Sequence, residues 1–325
     1  MTKENLSSVS LKEAFLASPG PTGTKESFLL FVKGLCMGSA DIVPGVSGGT
    51  IALITGIYEK LLHAIQSVNM EAARALLSFD FKKLLATIHL RFLIVLLAGI
   101  GTAVVSLARL MHHLLQHHPV PTWGFFLGLI LASILVIGKK IQNWPGVGSA
   151  FFIIGTIAAY FLVGMIPVTT PETWWFIFLS GMIAICAMIL PGISGSFFLL
   201  ILGKYQFITG ALKNPFQSES ILIIIIFGSG CVCGILAFSR FLSYMLDHYH
   251  NATLSLLTGL MFGSMRKIWP WKETLESVTI RGNVHVLREQ NVLPWDFGQE
   301  FFLTCVLVLG GFCLVLLLQR LADDR

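Results

Sequence analysis

Six long apolar runs limit what this chain can fold into more than any other feature of its sequence. Each run holds 13 to 21 residues, and with their flanks several reach the roughly 20 residues that cross a bilayer as a helix. Only 12% of the 325 residues are charged, about half the share found in soluble domains. We therefore expect an all-α polytopic membrane protein. The runs are Phe92–Leu107, Phe125–Ile137, Phe151–Ile166, Trp174–Leu190, Ile221–Phe241 and Phe301–Leu318.

The rest of the composition argues against several other classes. The net charge of +5 is too diffuse for a nucleic-acid partner, although it suits loops that face anionic lipid. The six cysteines lie in apolar runs, and the closest pair, Cys231 and Cys233, lacks the spacing of a zinc site. We expect neither a metal nor a cofactor. Residues 1–24 are polar and lack the apolar core of a secretory signal, so they predict a cytoplasmic tail.

The chain also contains an internal repeat. At an offset of 147, "PGVSGGTIALITGIY" (Pro44–Tyr58) and "PGISGSFFLLILGKY" (Pro191–Tyr205) are identical at eight of fifteen positions. An offset of 131 aligns later residues, so the first copy holds 16 extra residues, which fits the polar stretch Asn69–Leu90. The later identities are Arg109 with Arg240, His117 with His248, Thr122 with Thr253, Gly128 with Gly259 and Ser133 with Ser264.

Each repeat predicts a re-entrant or broken-helix hairpin followed by two transmembrane helices. The hairpin bends at Pro-Gly-x-Ser-Gly, and its second half is expected over Gly49–His63 in one copy and Ser196–Ala211 in the other. An even number of crossings per repeat, plus one connecting helix, inverts the second copy. The segments expected are a tail (1–24), repeat 1 (25–140), a connecting helix (147–166), repeat 2 (173–268), an outer loop (269–298) and a C-terminal transmembrane helix (299–320).

The basic residues favour an orientation with both termini in the cytoplasm. The short outer loops His112–Thr122 and Val168–Thr173 carry no Lys or Arg, as the positive-inside rule expects, whereas Lys213 falls on the outer side. The long segment 265–299 carries five basic residues outside, but long loops count less in that rule.

The two hairpin turns predict an anion site. Free backbone N–H groups at the start of the second half-helices favour phosphate, and small hydroxyl groups add donors. The alternative is that small residues only allow close helix packing, which explains one such cluster better than two at matching positions. The expected substrate-binding residues of the turns are Ser47, Gly48, Gly49, Thr50, Ser194, Gly195 and Ser196.

Arg109 and Arg240 form a second candidate group. Each ends an apolar run at the same place in its repeat, so as a pair they are candidate bidentate phosphate ligands. The alternative is that each arginine extends to the membrane interface on its own.

Two carboxylates flank the first hairpin only. Asp41 and Glu59 are replaced by Met188 and Gln206 in the second copy. A carboxylate near a membrane site can take up a proton, so both are candidates for proton coupling. A helix-end pairing of Glu59 with Lys60 is the alternative for that residue.

Two further patterns have a simpler interpretation. His112, His113, His117 and His118 predict a solvated outer loop rather than a metal site. Gly45–Gly49 matches G-x-S-x-G formally, but a serine hydrolase needs a strand before that turn and a base near the serine. A duplicated motif favours a symmetric carrier, so we do not expect an enzyme; an intramembrane serine hydrolase is the weaker alternative.

The paired motifs, "GSADIVPGVSGGTIALITGIYEKLL" and "LPGISGSFFLLILGKY", resemble those of the PopT family of bacterial membrane proteins. The resemblance covers nearly the whole chain. It implies a translocase in the cytoplasmic (inner) membrane that returns undecaprenyl phosphate, the C55 lipid carrier, to the inner leaflet for reuse in peptidoglycan and other envelope polymers. Without the resemblance, the sequence indicates only an inverted-repeat transporter with an anion site, and a carrier of a small ion or inorganic anion remains the alternative.

Overall fold

The computed structural model describes residues 10–43, 46–142, 144–280 and 283–323. Among these, five helices are long and apolar enough to cross a membrane, which makes the chain a multi-pass membrane protein as the apolar runs predict. The elements in chain order are α1 (Leu11–Ala17), α2 (Thr24–Ile42), α3 (Gly48–Ile54), α4 (Tyr58–Gln66), α5 (Met70–Leu77), α6 (Phe81–Thr87), α7 (Leu90–His117), α8 (Pro119–Gly138), α9 (Ser149–Leu162), α10 (Trp174–Ile189), α11 (Gly195–Ile201), α12 (Tyr205–Lys213), α13 (Ser218–His248), α14 (His250–Ile268), β1 (Lys272–Ile280), β2 (Asn283–Asn291) and α15 (Gln299–Asp323).

The long spans are α7, α8, α9 with the irregular turn before it, α13 and α15. Helices α7, α8 and α9 follow one another through short connections, so they cross in alternate directions. The beginning of α7 and the end of α9 therefore lie at opposite membrane faces.

The described part of the polar tail is held against the start of α7. Ser10 and Glu13 form a capping box that starts α1, with the Ser10 hydroxyl accepting from the Glu13 N–H at 3.2 Å. Arg91 then donates to the carbonyl oxygens of Leu16 and Gly20, both at 3.0 Å. The tail is thus docked on the membrane part of the chain by hydrogen bonds.

Each hairpin consists of three helices rather than the two that the sequence predicts. The second half breaks at Gly56 in the first copy and at Gly203 in the second, where φ is +69° and +64°. Glycine adopts this left-handed conformation without a steric penalty, and it ends the helix there. In the second hairpin the break bends α12 away from α11 by 113°. The expectation of unbroken helices over Gly49–His63 and Ser196–Ala211 is therefore wrong.

The two halves of the chain pack their hairpins in the same way. Gly34 of α2 lies against the carbonyl oxygen of Leu96 in α7. Gly181 of α10 lies against the carbonyl oxygen of Phe227 in α13. The glycines are 147 residues apart and their partners are 131 apart, which are the two offsets found in the sequence. Small residues at these crossings let the helix backbones approach closely.

Helices α15 and α9 also occupy equivalent positions in the two halves, an equivalence that the two offsets do not predict. Gly128 of α8 lies against Val308 of α15, and Gly259 of α14 lies against Phe152 of α9. Helix α15 therefore completes the first half as α9 completes the second. This relation is not apparent from the order of the elements along the chain. Helix α9 comes before the rest of the second half, whereas α15 comes after the second half and is therefore distant in sequence from the first.

The expected outer loop contains a two-stranded antiparallel sheet, which departs from the all-α expectation. Strands β1 and β2 pair from Lys272 with Asn291 to Ile280 with Asn283. At the base, the Trp269 indole donates to the carbonyl oxygen of Val292 at 2.9 Å. A short polar hairpin has no long hydrophobic pattern, so its signal is weak beside the apolar runs.

The polar insert of the first half forms two short helices, α5 and α6. Asn69 caps α5 by accepting from the N–H groups of Glu71 and Ala72, and Asp80 caps α6 by accepting from Lys83. Helix α6 packs against α1. The insert and the tail therefore share one region of the molecule.

The sequence predicts a loop for the histidine cluster, but the structure places the cluster at the end of a helix. His112, His113 and His117 lie in the last turns of α7, and His118 links α7 to α8. All four are exposed. The ring of His117 stacks on His113 with centroids 4.2 Å apart, and His248 stacks on Tyr244 at the same distance in the second half.

Candidate functional site

The two hairpin turns meet in the buried centre of the molecule. The Ser47 hydroxyl donates to the carbonyl oxygen of Met188 at 3.1 Å. In the other direction, the Gly192 N–H donates to the Thr50 hydroxyl at 2.9 Å. Ser47 and Thr50 are each 1% exposed and Ser194 is 6% exposed. The hydrogen bonds hold the two predicted turns together, although they are about 140 residues apart in sequence. Pro44 and Gly45 of the first turn lie outside the described residues.

The first amides of α3 already have partners within the first hairpin. The Gly48 N–H donates to the Asp41 carboxylate at 2.7 Å, and the Gly49 N–H donates to the Ser47 hydroxyl at 3.1 Å. The Thr50 N–H donates to the Ser47 carbonyl oxygen at 3.0 Å. A carboxylate of the chain itself thus occupies the place where the sequence predicts an anion at this turn.

The second turn is closed differently. Ser194 and Ser196 share a hydrogen bond between their hydroxyl oxygens at 2.7 Å, and Ser194 makes no side-chain cap bond to α11. Met188, which stands where the first half has Asp41, offers no carboxylate. Among the described residues, the second turn therefore starts its helix without a hydrogen-bonded carboxylate of the kind that Asp41 provides in the first.

Glycine is required at both turns by close backbone contacts. A Cβ atom on Gly49 would collide with the carbonyl oxygen of Ile189, and one on Gly195 would collide with that of Ala184. Gly192 has a φ of +81°, which only glycine adopts readily. The turns therefore lie against backbone that a side chain would displace.

The two arginines lie away from these contacts, on exposed faces of long helices. Arg109 on α7 and Arg240 on α13 are both exposed. Arg240 donates to the carbonyl oxygen of Leu236 in its own helix at 3.2 Å. Neither forms an ion pair with any residue in the described part of the chain. Their positive charges therefore face the surroundings of the helices.

Glu59 lies at the start of α4, and its partner is not the neighbouring lysine. Its carboxylate is 3.8 Å from the imidazole of His250, the first residue of α14. The Glu59 side chain is 63% exposed. The contact joins the first hairpin to the second half of the chain, as does the hydrogen bond from the Gln66 amide to the carbonyl oxygen of Ser239.

One buried cation near the second hairpin was missed by the sequence reasoning. Lys204 is 1% exposed, and its ammonium group donates to the carbonyl oxygen of Thr170 at 2.9 Å. It also lies 5.8 Å and 5.5 Å from the ring centroids of Phe176 and Phe207. The first copy of the repeat has Ile57 at the equivalent position. This difference between the two copies is the sequence feature that could have identified Lys204.

Two cavities lie at opposite membrane faces. The larger, of about 860 Å³, lies where α9 and α14 end, against α11 and under the base of the sheet. The smaller, of about 550 Å³, is lined by α2, α4 and the start of α7. Each cavity is thus bordered by one of the two hairpins.

The larger cavity contains an ion-paired carboxylate. The Glu289 carboxylate is 3.5 Å from the Lys267 ammonium group and 3.3 Å from that of Lys272. Burial by itself would raise the pKa of Glu289, but the two lysines outweigh it and hold that pKa below its usual value. Burial lowers the pKa of Lys272, an effect that Glu289 partly offsets.

The geometry gives the serines no hydrolase arrangement within the described residues. Ser47 donates to a backbone carbonyl oxygen, and Ser194 pairs with another serine. A serine nucleophile needs a base within hydrogen-bond reach, and no histidine there bonds either hydroxyl. The described residues likewise contain no group of three or more His, Cys, Asp or Glu side chains able to hold a metal ion.

Comparisons with known proteins agree with the resemblance drawn from the motifs. Residues 37–285 match the model of a family described as undecaprenyl phosphate translocase-like. A polyprenyl-phosphate transporter of Vibrio cholerae is 43% identical over 300 residues, which cover 90% of this chain and 96% of that protein. A polyprenyl-phosphate transporter of Staphylococcus aureus is 30% identical over 309 residues, with the same coverage. No solved structure matches the chain significantly. This chain therefore belongs to the undecaprenyl phosphate translocase-like family of membrane proteins.

Proposed function

We propose that this protein moves polyprenyl phosphate, in particular undecaprenyl phosphate, from the outer to the inner leaflet of the bacterial cytoplasmic membrane. The observation that carries the proposal is the similarity over 90% of the chain to two proteins named polyprenyl-phosphate transporters. The buried polar contact between two hairpin turns supports it, because a phosphate head group needs a shielded polar path across the apolar core.

The proposed phosphate site lies between the two turns. Substrate would replace the contacts that the turns now make with each other, so that the hydroxyl and amide groups donate to phosphate oxygens instead. The second turn suits this role well because no carboxylate in the described part of the chain is hydrogen-bonded at the start of α11. The groups proposed to contact the phosphate are those of Ser47, Gly48, Gly49, Thr50, Ser194, Gly195 and Ser196.

Arg109 and Arg240 are proposed to meet the lipid phosphate from the membrane side. An arginine within an apolar span needs an anionic partner or access to water. Both side chains are exposed and without an ion pair among the described residues, so a lipid head group can reach them laterally. The polyprenyl tail can then stay in the bilayer while the head crosses.

The proposed transport cycle exposes one central site to each face in turn. The two repeats (25–140 and 173–268) are taken as inverted copies, with the connecting helix (147–166) and the C-terminal helix (299–320) completing them. The tail (1–24) and both termini are placed in the cytoplasm and the segment 269–298 outside. Matching glycine contacts in the two halves support a shared architecture.

Protons are proposed to drive the cycle through Asp41 and Glu59. Asp41 binds the amide that starts α3, so a change in its charge alters the contact that closes the first turn. Glu59 pairs with His250 across the two halves, so its protonation alters a contact between them. Both carboxylates are absent from the second hairpin, which gives the cycle a direction.

The test is a liposome assay in which purified protein moves labelled undecaprenyl phosphate between leaflets. We expect movement by the wild type, and loss of movement in Arg109→Ala and Arg240→Ala with both variants still inserted. Wild-type rates in either variant would contradict the role of that arginine. Rates unchanged after collapse of the proton gradient would remove the coupling. Uptake of inorganic phosphate with no lipid movement would favour the alternative of an inorganic-anion carrier.

A further inference from the structure

The larger cavity has both apolar and basic lining residues. The apolar ones include Phe197 and Leu200 of α11 and Phe262 of α14. The basic ones are Arg266 and Lys267 at the end of α14, and the sheet residue Lys272. A cavity of about 860 Å³ with this mixed lining suits an amphiphile that has a charged head.

The described lining residues carry an excess of positive charge. They contain three cations, Arg266, Lys267 and Lys272, against one carboxylate, that of Glu289, which leaves an excess of two. Such a low-dielectric, positively charged concavity concentrates anions. A doubly charged phosphomonoester matches this excess.

Each of the three cations is held in place by an aromatic ring. The Arg266 guanidinium lies 4.3 Å from the centroid of Tyr160 and donates through Nη1 to the carbonyl oxygen of that residue at 3.1 Å. Lys267 lies 5.7 Å from the Phe197 ring. The Lys272 ammonium group lies 4.6 Å from the Trp123 ring, and it donates to the Lys267 carbonyl oxygen at 2.7 Å. Fixed cations lose less side-chain entropy when they bind a ligand.

Glu289 now bridges the two lysines as a phosphate would. Its carboxylate lies within 3.5 Å of both ammonium groups. It belongs to β2, whose end is tied to α14 by the Asn291 amide donating to the Arg266 carbonyl oxygen at 2.8 Å. An incoming phosphate has to compete with this carboxylate for the same two donors.

The rim of the cavity leaves room for an apolar tail. Met165 and Ile166, which follow α9, are 54% and 58% exposed. Leu200 of α11 and Phe262 of α14 are each 45% exposed. Exposed apolar side chains beside the ends of membrane spans offer a surface for hydrocarbon, so a head group in the cavity can keep its chain in the bilayer.

We infer that this cavity captures the phosphomonoester head of the substrate lipid at the outer face, with Lys267 and Lys272 exchanging the Glu289 carboxylate for the lipid phosphate and Arg266 completing the site. The inference rests on the proposed function for the identity of the lipid and for the assignment of this face as the outer one. It adds a binding site that is separate from the two hairpin turns.

The test measures binding of three probes to the purified full-length protein in nanodiscs. The probes are a short-chain polyprenyl phosphate, the matching polyprenol without phosphate, and inorganic phosphate. We expect the phosphorylated lipid to bind best. The double variant Lys267→Met with Lys272→Met should weaken its binding about tenfold or more, because two charge-assisted contacts are lost. Lys213→Met is the matched control, since Lys213 is an exposed lysine outside the cavity, and it should bind as the wild type does.

Glu289→Gln separates a binding role from a structural one. Removing the competing carboxylate should tighten binding of the phosphorylated lipid several-fold, whereas a merely structural ion pair would leave binding unchanged or weaken it. An unchanged or weaker affinity in Glu289→Gln would therefore overturn the inference. Equal binding of inorganic phosphate and the lipid would overturn the assignment of a lipid ligand.

The liposome assay distinguishes failure of this inference from failure of the proposed function. If the wild type moves lipid while the double lysine variant binds it normally, the capture site is wrong and the function stands. If the wild type binds the lipid with the expected variant pattern but moves none, the capture site stands and the function is wrong.

Discussion

The two hairpin turns have nearly the same sequence and different internal chemistry. In the first, the Asp41 carboxylate accepts the hydrogen bond from the Gly48 N–H at the start of α3, and in the second, the hydroxyl groups of Ser194 and Ser196 share a hydrogen bond with each other. The first hairpin also supplies the side chains of three hydrogen bonds to the backbone of the second, through the hydroxyl groups of Ser47, Thr50 and Tyr58. The difference teaches that sequence symmetry does not imply equal roles. One turn has a carboxylate at the start of its helix, and the other has a pair of serine hydroxyl groups there.

The largest loss of stability and of lipid movement is expected from a substitution at Gly49, where the backbones of the two hairpins are in direct contact. Gly49→Ala places a methyl group on the carbonyl oxygen of Ile189, and relieving that overlap should cost roughly 1–3 kcal/mol and separate the turns. Lipid movement should be lost. An unfolding titration in detergent, together with the liposome assay, measures both effects. Gly23→Ala is the control, because the added methyl group meets no atom within 4 Å; a Gly49→Ala protein as stable as this control would contradict the contact.

The second effect tests the charge that only the first turn carries. Asp41→Asn keeps an oxygen that can accept from the Gly48 N–H, so the protein should stay folded, but gradient-driven lipid movement should fall at least about tenfold. Asp41→Ala should in addition lose roughly 1–2 kcal/mol of folding free energy, because the Gly48 N–H loses its acceptor. The measurement is the rate of lipid movement with and without a proton gradient. Full gradient-dependent movement by Asp41→Asn would show that the charge is not needed.

The third effect compares one hydroxyl from each turn. Thr50→Val leaves the buried N–H of Gly192 without its acceptor and should cost about 1–2 kcal/mol of folding free energy. Ser194→Ala removes a bond between two hydroxyl groups and should cost under about 1 kcal/mol. For lipid binding the order should reverse: both residues are proposed phosphate ligands, but at the first turn the Asp41 carboxylate already accepts from the Gly48 N–H and competes with the phosphate. Equal losses of stability in the two variants would remove the asymmetry.

The smallest effect concerns the two equivalent tyrosines at the end of the repeated motif. Tyr58 is buried and donates to the carbonyl oxygen of Ile189 at 3.1 Å, whereas Tyr205 is 42% exposed. Tyr58→Phe should cost about 1 kcal/mol of folding free energy and Tyr205→Phe close to none. Unfolding titrations of the two variants compare them directly, and a larger loss in Tyr205→Phe would reverse the assignment.

Much of the membrane architecture could be predicted because its signals are local. Apolar runs such as Ile221–Phe241 must become helices, since backbone in lipid has to satisfy its own hydrogen bonds. The offsets of 147 and 131 also carry through to the packing, where Gly34 and Gly181 occupy equivalent helix crossings. The repeat also aligns Gly56 with Gly203. The alignment does not predict their left-handed conformation or the helix breaks that they cause.

The candidate site was predicted in part. The two turns were recognised from Ser47–Thr50 and Ser194–Ser196, but their direct contact depends on a fold that brings together residues about 140 apart. The basic cavity was missed because Lys267, Lys272 and Glu289 belong to a segment expected as a loop. Without the sheet, no pattern in the sequence places Glu289 between the lysines.

The sequence by itself determined that this chain is a helical membrane protein with a repeated hairpin motif. Hydrophobic length and glycine spacing are enough for that, because both act within one helix or one turn. Only the tertiary structure decided that α9 and α15 complete opposite halves, that Asp41 closes one turn, and that three cations line a cavity beside the other hairpin. These features depend on contacts between distant segments, whose partners are fixed by packing rather than by any pattern along the chain.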